Sequence, residues 1–345
     1  MAAPTRRIGT EEAFSIPEIA AELRDVARSP TDSSDLPLVK GIYDAPAGGG
    51  SFLQGLLDLE DVRIRDMDDN GVDLQVLSLT APGVQMFDAD TATELAALAN
   101  DRLAEVISRH PTRFAGLASF APQAPKRAAA EMERAISELG LNGFVVNSHT
   151  HSEYLDDPKY WLLLEAAEAL DACLYIHPRG AAAGLELPFR HYGLHSAQWG
   201  YGLEVGTHAV RMIVAGVFDR FPNLKICLGH MGEAVHFWLW RIDFMNERAQ
   251  RNGLAPKLQL KPSEYFKRNF VITTSGQESD LALDFSIKAL GAENVMWAID
   301  YPYQPTAPAV AWMDAAPISD AERELLYHAN AERIFHIGGS RGQAS

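Results

Sequence analysis

The sequence predicts an α/β chain closed into a (β/α)8 TIM barrel, and two observations carry that prediction. Eight short apolar, β-branched runs recur along the chain, separated by longer stretches of helical periodicity. Most of these runs hold little polar content until their final residue, the pattern of strands buried on both faces, as in a parallel sheet.

The predicted strands are Arg7–Phe14, Val72–Thr80, Phe114–Phe120, Gly143–His149, Cys173–His177, Leu224–His230, Phe270–Ser275 and Val295–Asp300. Helical periodicity lies between them, at Thr91–His110, Lys126–Leu139, Pro158–Leu170, Glu233–Gln250 and Asp280–Leu290. Eight β-then-α units without a break favour a closed barrel over an open doubly wound sheet. The open alternative also lacks a phosphate loop: neither G-x-G-x-x-G after a strand nor G-x-x-x-x-G-K-[ST] occurs, and no internal repeat has a fixed period. A chain of 345 residues, 47% hydrophobic and 22% charged, suits one large core, so residues 1–345 are expected to form a single domain.

Two connections break the rhythm. Ser29–Ser51, with Pro, Asp, Ser and the run Gly48-Gly49-Gly50, is expected to be a long loop after the first βα unit, lying over the barrel mouth. A tolerated surface insertion is the plainer alternative. Gly180–Gly200, rich in Gly, His and aromatics, follows the fifth strand.

The formal net charge is −16, from 30 Lys+Arg against 46 Asp+Glu. That balance argues against a nucleic-acid partner, which needs a basic footprint, and against an anionic membrane surface. An anionic substrate stays open, because a buried metal or Arg reverses the field locally. No run of about 20 apolar residues is present. Arg6-Arg7 is followed at once by Ile8-Gly9-Thr10-Glu11-Glu12, not by the apolar segment of a secretory signal. Cys173 and Cys227 each sit inside an apolar run and read as reduced core thiols, so the cytoplasm is the expected compartment.

In a barrel of this kind catalytic groups occupy the C-terminal ends of the strands. Five runs end in His, Asp, Glu or Asn: Glu11-Glu12-Ala13-Phe14, Asn147-Ser148-His149-Thr150-His151, His177-Pro178-Arg179, His230-Met231-Gly232-Glu233 and Asp300-Tyr301-Pro302-Tyr303. These are O and N ligands for a borderline divalent metal. Singly, each has a bland reading: a hydrogen-bonded His, an Asp capping a turn, a solvated Glu at a strand edge. Closure of the barrel would bring all of them to one mouth.

These motifs resemble the decarboxylase branch of the amidohydrolase superfamily, whose members include 2,3-dihydroxybenzoate, γ-resorcylate and 5-carboxyvanillate decarboxylases. The resemblance runs from Thr10-Glu11-Glu12-Ala13-Phe14 to Asn330-Ala331-Glu332. It includes Asn147-Ser148-His149-Thr150, Tyr175-Ile176-His177-Pro178, Phe218-Asp219-Arg220-Phe221-Pro222, Gly229-His230-Met231-Gly232-Glu233 and Ala298-Ile299-Asp300-Tyr301-Pro302-Tyr303. It implies an amidohydrolase-like barrel holding one divalent ion, Zn2+ or Mn2+, on Glu11, His177 and Asp300, with no organic cofactor. Some relatives carry a His two positions after the first Glu; here Ala13 stands there, on the same strand face. Hydrolytic relatives carry His-x-His on the first strand and often a Lys on the fourth, and this chain has neither. His149 and His151 share the His-x-His spacing, but the first falls inside the ordinary Ser-His-Thr signature.

The implied reaction is metal-dependent, non-oxidative decarboxylation of a hydroxybenzoate-type acid. Asp300 would protonate the ring carbon that bears the carboxylate, and the dienone would expel CO2. His230, oriented by Glu233, would manage the phenolic proton; a cap on the following helix is the structural alternative for this pair. Arg241, eight residues past Glu233 in the same predicted helix, is implied as a carboxylate partner, with a surface ion pair as its alternative. Tyr303 and Asn147 are candidate substrate hydrogen-bond donors. The competing reading is a hydrolase of the same superfamily, acting on an amide, ester or lactone, in which Asp300 deprotonates a metal-bound water. A small aromatic carboxylate is the expected partner, and by analogy the chain forms a homo-oligomer, a dimer or tetramer.

Overall fold

The structure, a computed structural model, describes residues 5–44 and 50–339. Its eight strands are β1 (Ile8–Phe14), β2 (Leu74–Leu79), β3 (Phe114–Ser119), β4 (Gly143–Asn147), β5 (Leu174–His177), β6 (Ile226–Leu228), β7 (Phe270–Thr273) and β8 (Val295–Met296). They form one parallel sheet in sequence order, with a helix in each crossover. Every strand residue is buried, as the apolar runs require. The predicted strands are all present, each shorter than expected at one end or both.

Period two divides the strands between two cores. One core packs helices onto the outside of the sheet. The other fills the barrel with Ile8, Leu74, Val76, Leu117, Val145, Tyr175, Val271 and Met296 among others, and Phe335 joins it from the chain's last turns. Cys173 and Cys227 point into this inner core, buried and free, as reduced core thiols should be. The same alternation carried one step further puts Asn147, His177 and Asp300 at the mouth.

The sheet closes through side chains. No ladder joins β8 to β1 among the described residues; instead Thr10 Oγ1 donates to the Trp297 carbonyl at 2.7 Å and Ala13 N–H to the Tyr301 carbonyl at 2.7 Å. The Glu12 carboxylate completes the seam, accepting from Ile299 N–H at 3.0 Å and Tyr301 N–H at 2.9 Å. A bulge in β1 allows this: Gly9 pairs with Gln75 and Glu12 with Leu77, so three steps of β1 match two of β2.

The stretch read as a single long loop, Ser29–Ser51, is corrected in part. Leu36–Tyr43 is a helix, with Pro37 in its first turn and Val39, Ile42 and Tyr43 buried; Gly50 opens another helix, Gly50–Leu57. Apolar residues at helical spacing were hidden there by the flanking Pro, Asp and Ser. Gly48 and Gly49 lie outside the described residues. The placement over the mouth agrees with the contacts. Ser34 Oγ donates to the Ala181 carbonyl, and the buried Asp35 carboxylate accepts from Arg179 Nε at 3.0 Å and Gly180 N–H at 2.8 Å. This segment therefore seats on the loop after β5. The Gly180–Gly200 connection is irregular as expected, with one short 3-10 turn, Leu187–Phe189.

Asp35 and Arg179 are both buried, and the second Arg179 nitrogen also bonds Asp35. Removing one partner strands a desolvated charge. Asp35→Ala should lower the unfolding free energy by about 3–5 kcal/mol, read by urea denaturation, whereas Asp35→Ala combined with Arg179→Leu should recover part of the loss.

Candidate metal centre and active site

β1, β5 and the turn after β8 bring Glu11, His177 and Asp300 together, with one potential ligand atom from each inside a 4.8 Å cluster. Three residues separated by up to 289 positions in sequence thus meet where barrel closure predicts.

The two Glu11 oxygens have unequal surroundings. Oε2 accepts from Thr273 Oγ1 at 2.8 Å and from the hydroxyls of Tyr175 and Ser275. Oε1 is buried and has no hydrogen-bond partner; the Nε2 atoms of His177 and His230 face it at 3.5 and 3.6 Å. A buried carboxylate oxygen left bare is costly unless a cation sits against it. Burial works to raise the Glu11 pKa, but the two imidazoles and the Ser275 and Tyr175 hydroxyls outweigh it, and the net shift is downward. Gly229 makes this packing possible: a Cβ there would stand 2.7 and 2.9 Å from the two Glu11 oxygens.

His177 has its tautomer set by Nδ1, which donates towards the Pro178 carbonyl at 2.9 Å and Asn147 Oδ1 at 3.1 Å. That leaves the Nε2 lone pair facing Glu11, the arrangement of a metal-ligating imidazole. Burial holds its pKa down at about 4, so the ring is neutral near pH 7. Asn147 accordingly touches a candidate ligand, a role that its reading as a substrate donor did not foresee. Asp300 has φ +75°, in the left-handed region. Burial raises its carboxyl to about 6, against the opposing pull of the nearby His230 imidazole. One oxygen of Asp300 and one of Glu11, with His177 Nε2, make an O/N/O donor set that fits a divalent ion with coordination sites left open.

His230 and Glu233 are joined by a 2.7 Å bond from Nδ1 to Oε1, and His230 Nε2 lies 3.9 Å from Asp300 Oδ2. Burial by itself would lower the His230 pKa; the charges of Glu233 and Glu11 overcome it and shift it upward. The backbone here departs from the expected helix. His230, Met231, Gly232, Glu233 and Ala234 have φ of 48°, 53°, 61°, 52° and 56°, a turn of left-handed helix, and the regular helix begins only at Leu239. The predicted helix Glu233–Gln250 is therefore corrected to Leu239–Arg251, and Glu233 does not cap it. Left-handed residues other than Gly cost roughly 1–2 kcal/mol each, and here the tertiary frame holds them. His230 N–H donates to Ser275 Oγ at 3.0 Å, and helix Gly200–Val214 presses on the turn so closely that a Cβ on Gly202 would sit 2.9 Å from Glu233 Oε2.

Other expected residues separate. Tyr303 is at the site's edge, its hydroxyl 2.6 Å from Thr80 Oγ1 and its ring 4.9 Å from Phe52. Arg241 does not share a helix with Glu233; it is exposed on Leu239–Arg251, with no hydrogen bond or ion pair among the described residues. His149 is tied to backbone, Nε2 to the Gly180 carbonyl at 2.9 Å and Nδ1 to Ser152 N–H at 3.2 Å, and His151 is exposed, so neither joins the ligand cluster. The hydroxyl cradle of Tyr175, Thr273 and Ser275 was missed, although parity offered a signal: Tyr175 lies two residues before His177, on the same strand face.

A barrel whose mouth gathers Glu, His and Asp around a bare carboxylate oxygen, beside a His–Glu pair, belongs to the class of mononuclear metal enzymes. The chain is a member of the amidohydrolase family, whose sequence profile matches residues 54–337. It is 34% identical over 342 residues to a γ-resorcylate decarboxylase from Rhodococcus jostii (strain RHA1), covering 96% of this chain and 98% of the relative. Among solved structures it is similar to a 5-carboxyvanillate decarboxylase from Sphingomonas paucimobilis, with 54% identity, a TM-score of 0.95, and coverage of 96% of this chain and 99% of that one. A 5-carboxyvanillate decarboxylase from Novosphingobium aromaticivorans, solved with manganese and 4-hydroxy-3-methoxy-5-nitrobenzoic acid, matches with 38% identity and a TM-score of 0.92, covering 96% of each chain.

Gly229→Ala tests the packing around Glu11. The added methyl should push the carboxylate aside and weaken Mn2+ binding by about 10-fold or more, measured by calorimetric titration of metal-stripped protein.

Proposed function

We propose that this chain is a metal-dependent carboxy-lyase, removing CO2 without oxidation from a hydroxybenzoate-type acid. The observation that carries the reading is the Glu11–His177–Asp300 cluster with its bare Glu11 Oε1, set beside His230–Glu233, in a chain so similar to aromatic acid decarboxylases. Residues 1–345 act as one catalytic domain.

Glu11, His177 and Asp300 would hold a divalent ion, which would supply the positive charge that an anionic phenolic acid needs in a buried mouth. Mn2+ suits the two carboxylates and one imidazole, and Zn2+ is the other candidate. Asp300 is the proposed donor of the proton that the ring carbon receives, and burial of its carboxyl works towards keeping that proton. Once that carbon is protonated, its bond to the carboxylate breaks, CO2 leaves, and the bond's electron pair restores the aromatic ring. His230, hydrogen-bonded through Nδ1 to Glu233, would in its neutral form take up the phenolic proton at Nε2 and return it. Tyr303, whose own proton is held tightly by burial, donates to substrate. Asn147 serves through His177, and substrate contact through its amide is the second part of its role.

Gly41–Asp61 contains no Lys or Arg, so this stretch offers no cationic partner to a second substrate carboxylate. A small aromatic acid, not nucleic acid, suits a chain of net charge −16. No helix among the described residues is long and apolar enough to cross a membrane. Two free, buried cysteines support a cytoplasmic setting. The chain works as a homo-oligomer, a dimer or tetramer, through the face where Phe237, Trp238, Trp240 and Phe244 stand 51–75% exposed. Arg241 lies within this face and is proposed to meet the substrate carboxylate in the assembled enzyme.

Purified protein should convert at least one member of a panel of catechol acids, resorcylates and vanillate derivatives to its phenol, with activity lost to chelator and restored by Mn2+ or Zn2+. Absence of conversion by metal-loaded protein would turn the reading to esters and lactones. Asp300→Asn should keep metal within about 10-fold of wild-type affinity yet lose at least about 100-fold in kcat, followed by chromatography; full turnover would sink Asp300 as the proton donor. Trp240→Glu should shift the assembly towards monomer in sedimentation.

A further inference from the structure

The two carboxylates of Glu11-Glu12 are adjacent, yet only the first joins His177 and Asp300 in the candidate ligand cluster. The bulge between Gly9 and Glu12 resets the alternation of β1, so that Glu11 enters the mouth and Glu12 enters the seam between β1 and β8. Glu12 is fully buried. Its Oε1 accepts from Ile299 N–H at 3.0 Å and its Oε2 from Tyr301 N–H at 2.9 Å. These are the residues on either side of Asp300. One carboxylate therefore grips the chain both before and after Asp300, and the residue between the two grips is the one with φ +75°.

The surroundings hold Glu12 in that posture. A Cβ on Gly9 would collide with Glu12 Oε1, so glycine leaves the space this carboxylate fills. Arg63, also fully buried, donates to the Ala13 carbonyl at 2.6 Å and stacks over the Tyr301 ring at 4.6 Å. Ala13 N–H in turn donates to the Tyr301 carbonyl at 2.7 Å.

We propose that Glu12 is the positioning residue for Asp300: by bonding the N–H groups of both its neighbours it keeps the Asp300 carboxylate turned towards Glu11 and His177. The inference rests on the proposed metal site at Glu11, His177 and Asp300. It assigns Glu12 no contact with substrate, and it distinguishes a residue that aims Asp300 from one that only closes the barrel.

The test is Glu12→Gln, whose amide offers one acceptor where two N–H groups need one each. Mn2+ affinity of metal-stripped protein, read by the electron paramagnetic resonance signal of free Mn2+, should fall about 10-fold or more. At saturating Mn2+, kcat should fall about 10-fold or more while KM stays within about twofold, because substrate contacts are intact. A folded Glu12→Gln protein with lower thermal stability but wild-type Mn2+ affinity and kcat would overturn the proposal. If that variant does not fold, Gly9→Ala crowds the same carboxylate while leaving it present. Mn2+ affinity and kcat should then fall in the same way, and wild-type values for both would again overturn the role of Glu12. Wild-type protein that binds no Mn2+, or Glu11→Gln with unchanged binding, would instead sink the metal site itself. A crystal structure of either seam variant then decides separately: Asp300 moved out of the left-handed region supports the role of Glu12, and Asp300 unmoved removes it.

Discussion

Burying the Glu11 carboxylate in the mouth of a barrel carries a large desolvation cost, and much of the surrounding architecture answers it. One oxygen is met by three hydroxyls, from Tyr175, Thr273 and Ser275, drawn from β5 and from the end of β7. Gly229 keeps the floor clear where β6 ends. His177 and His230 approach the other oxygen from two sides without satisfying it. The charge is stabilised enough to stay ionised and left incomplete enough to hold a cation, and that balance is the physical basis of the site.

The seam beside it obeys a related constraint. A sheet that curls into a barrel must join its first strand to its last, and this one does so with few backbone bonds. The side chains of Thr10 and Glu12 supply the missing partners. Closing the barrel and shaping the active site are therefore the same local event: the bulge in β1 that frees Glu12 for the seam contains Glu11, a member of the candidate ligand cluster. The helices inserted after β1 extend the coupling, because Arg63 braces Ala13 and Tyr301, while Asp35 braces the loop beyond His177.

How much of this was legible in the sequence follows from which signals are periodic. Double-sided burial writes itself into composition, so all eight strands stood out, and a parallel barrel then brought Glu11, His177 and Asp300 to one mouth. What stayed hidden depends on departures from periodicity. A bulge of one residue leaves no letter pattern, and so the separate duties of Glu11 and Glu12 could not be divided. Thr273 and Ser275 are unremarked residues in a strand until a carboxylate is known to lie across from them. Helix Leu36–Tyr43 was masked by the turn-forming residues around it, and Arg241 seemed to share a face with Glu233 only because a continuous right-handed helix was assumed between them.

That left-handed turn has a wider meaning for reading sequences of this kind. In either hand, residues three apart fall on one side of a turn, so His-x-x-Glu pairs its two groups whichever way the backbone coils. The hand decides the direction in which that pair then faces. A right-handed turn leaving β6 would carry the same four letters and the same hydrogen bond while presenting the imidazole to a mirror-related space, away from Glu11 and Asp300. The motif alone thus identifies a dyad but not its address. In this protein the address is written by Gly232 and by the crowding of Gly202 and Ser275 around the turn, residues that a motif search would pass over.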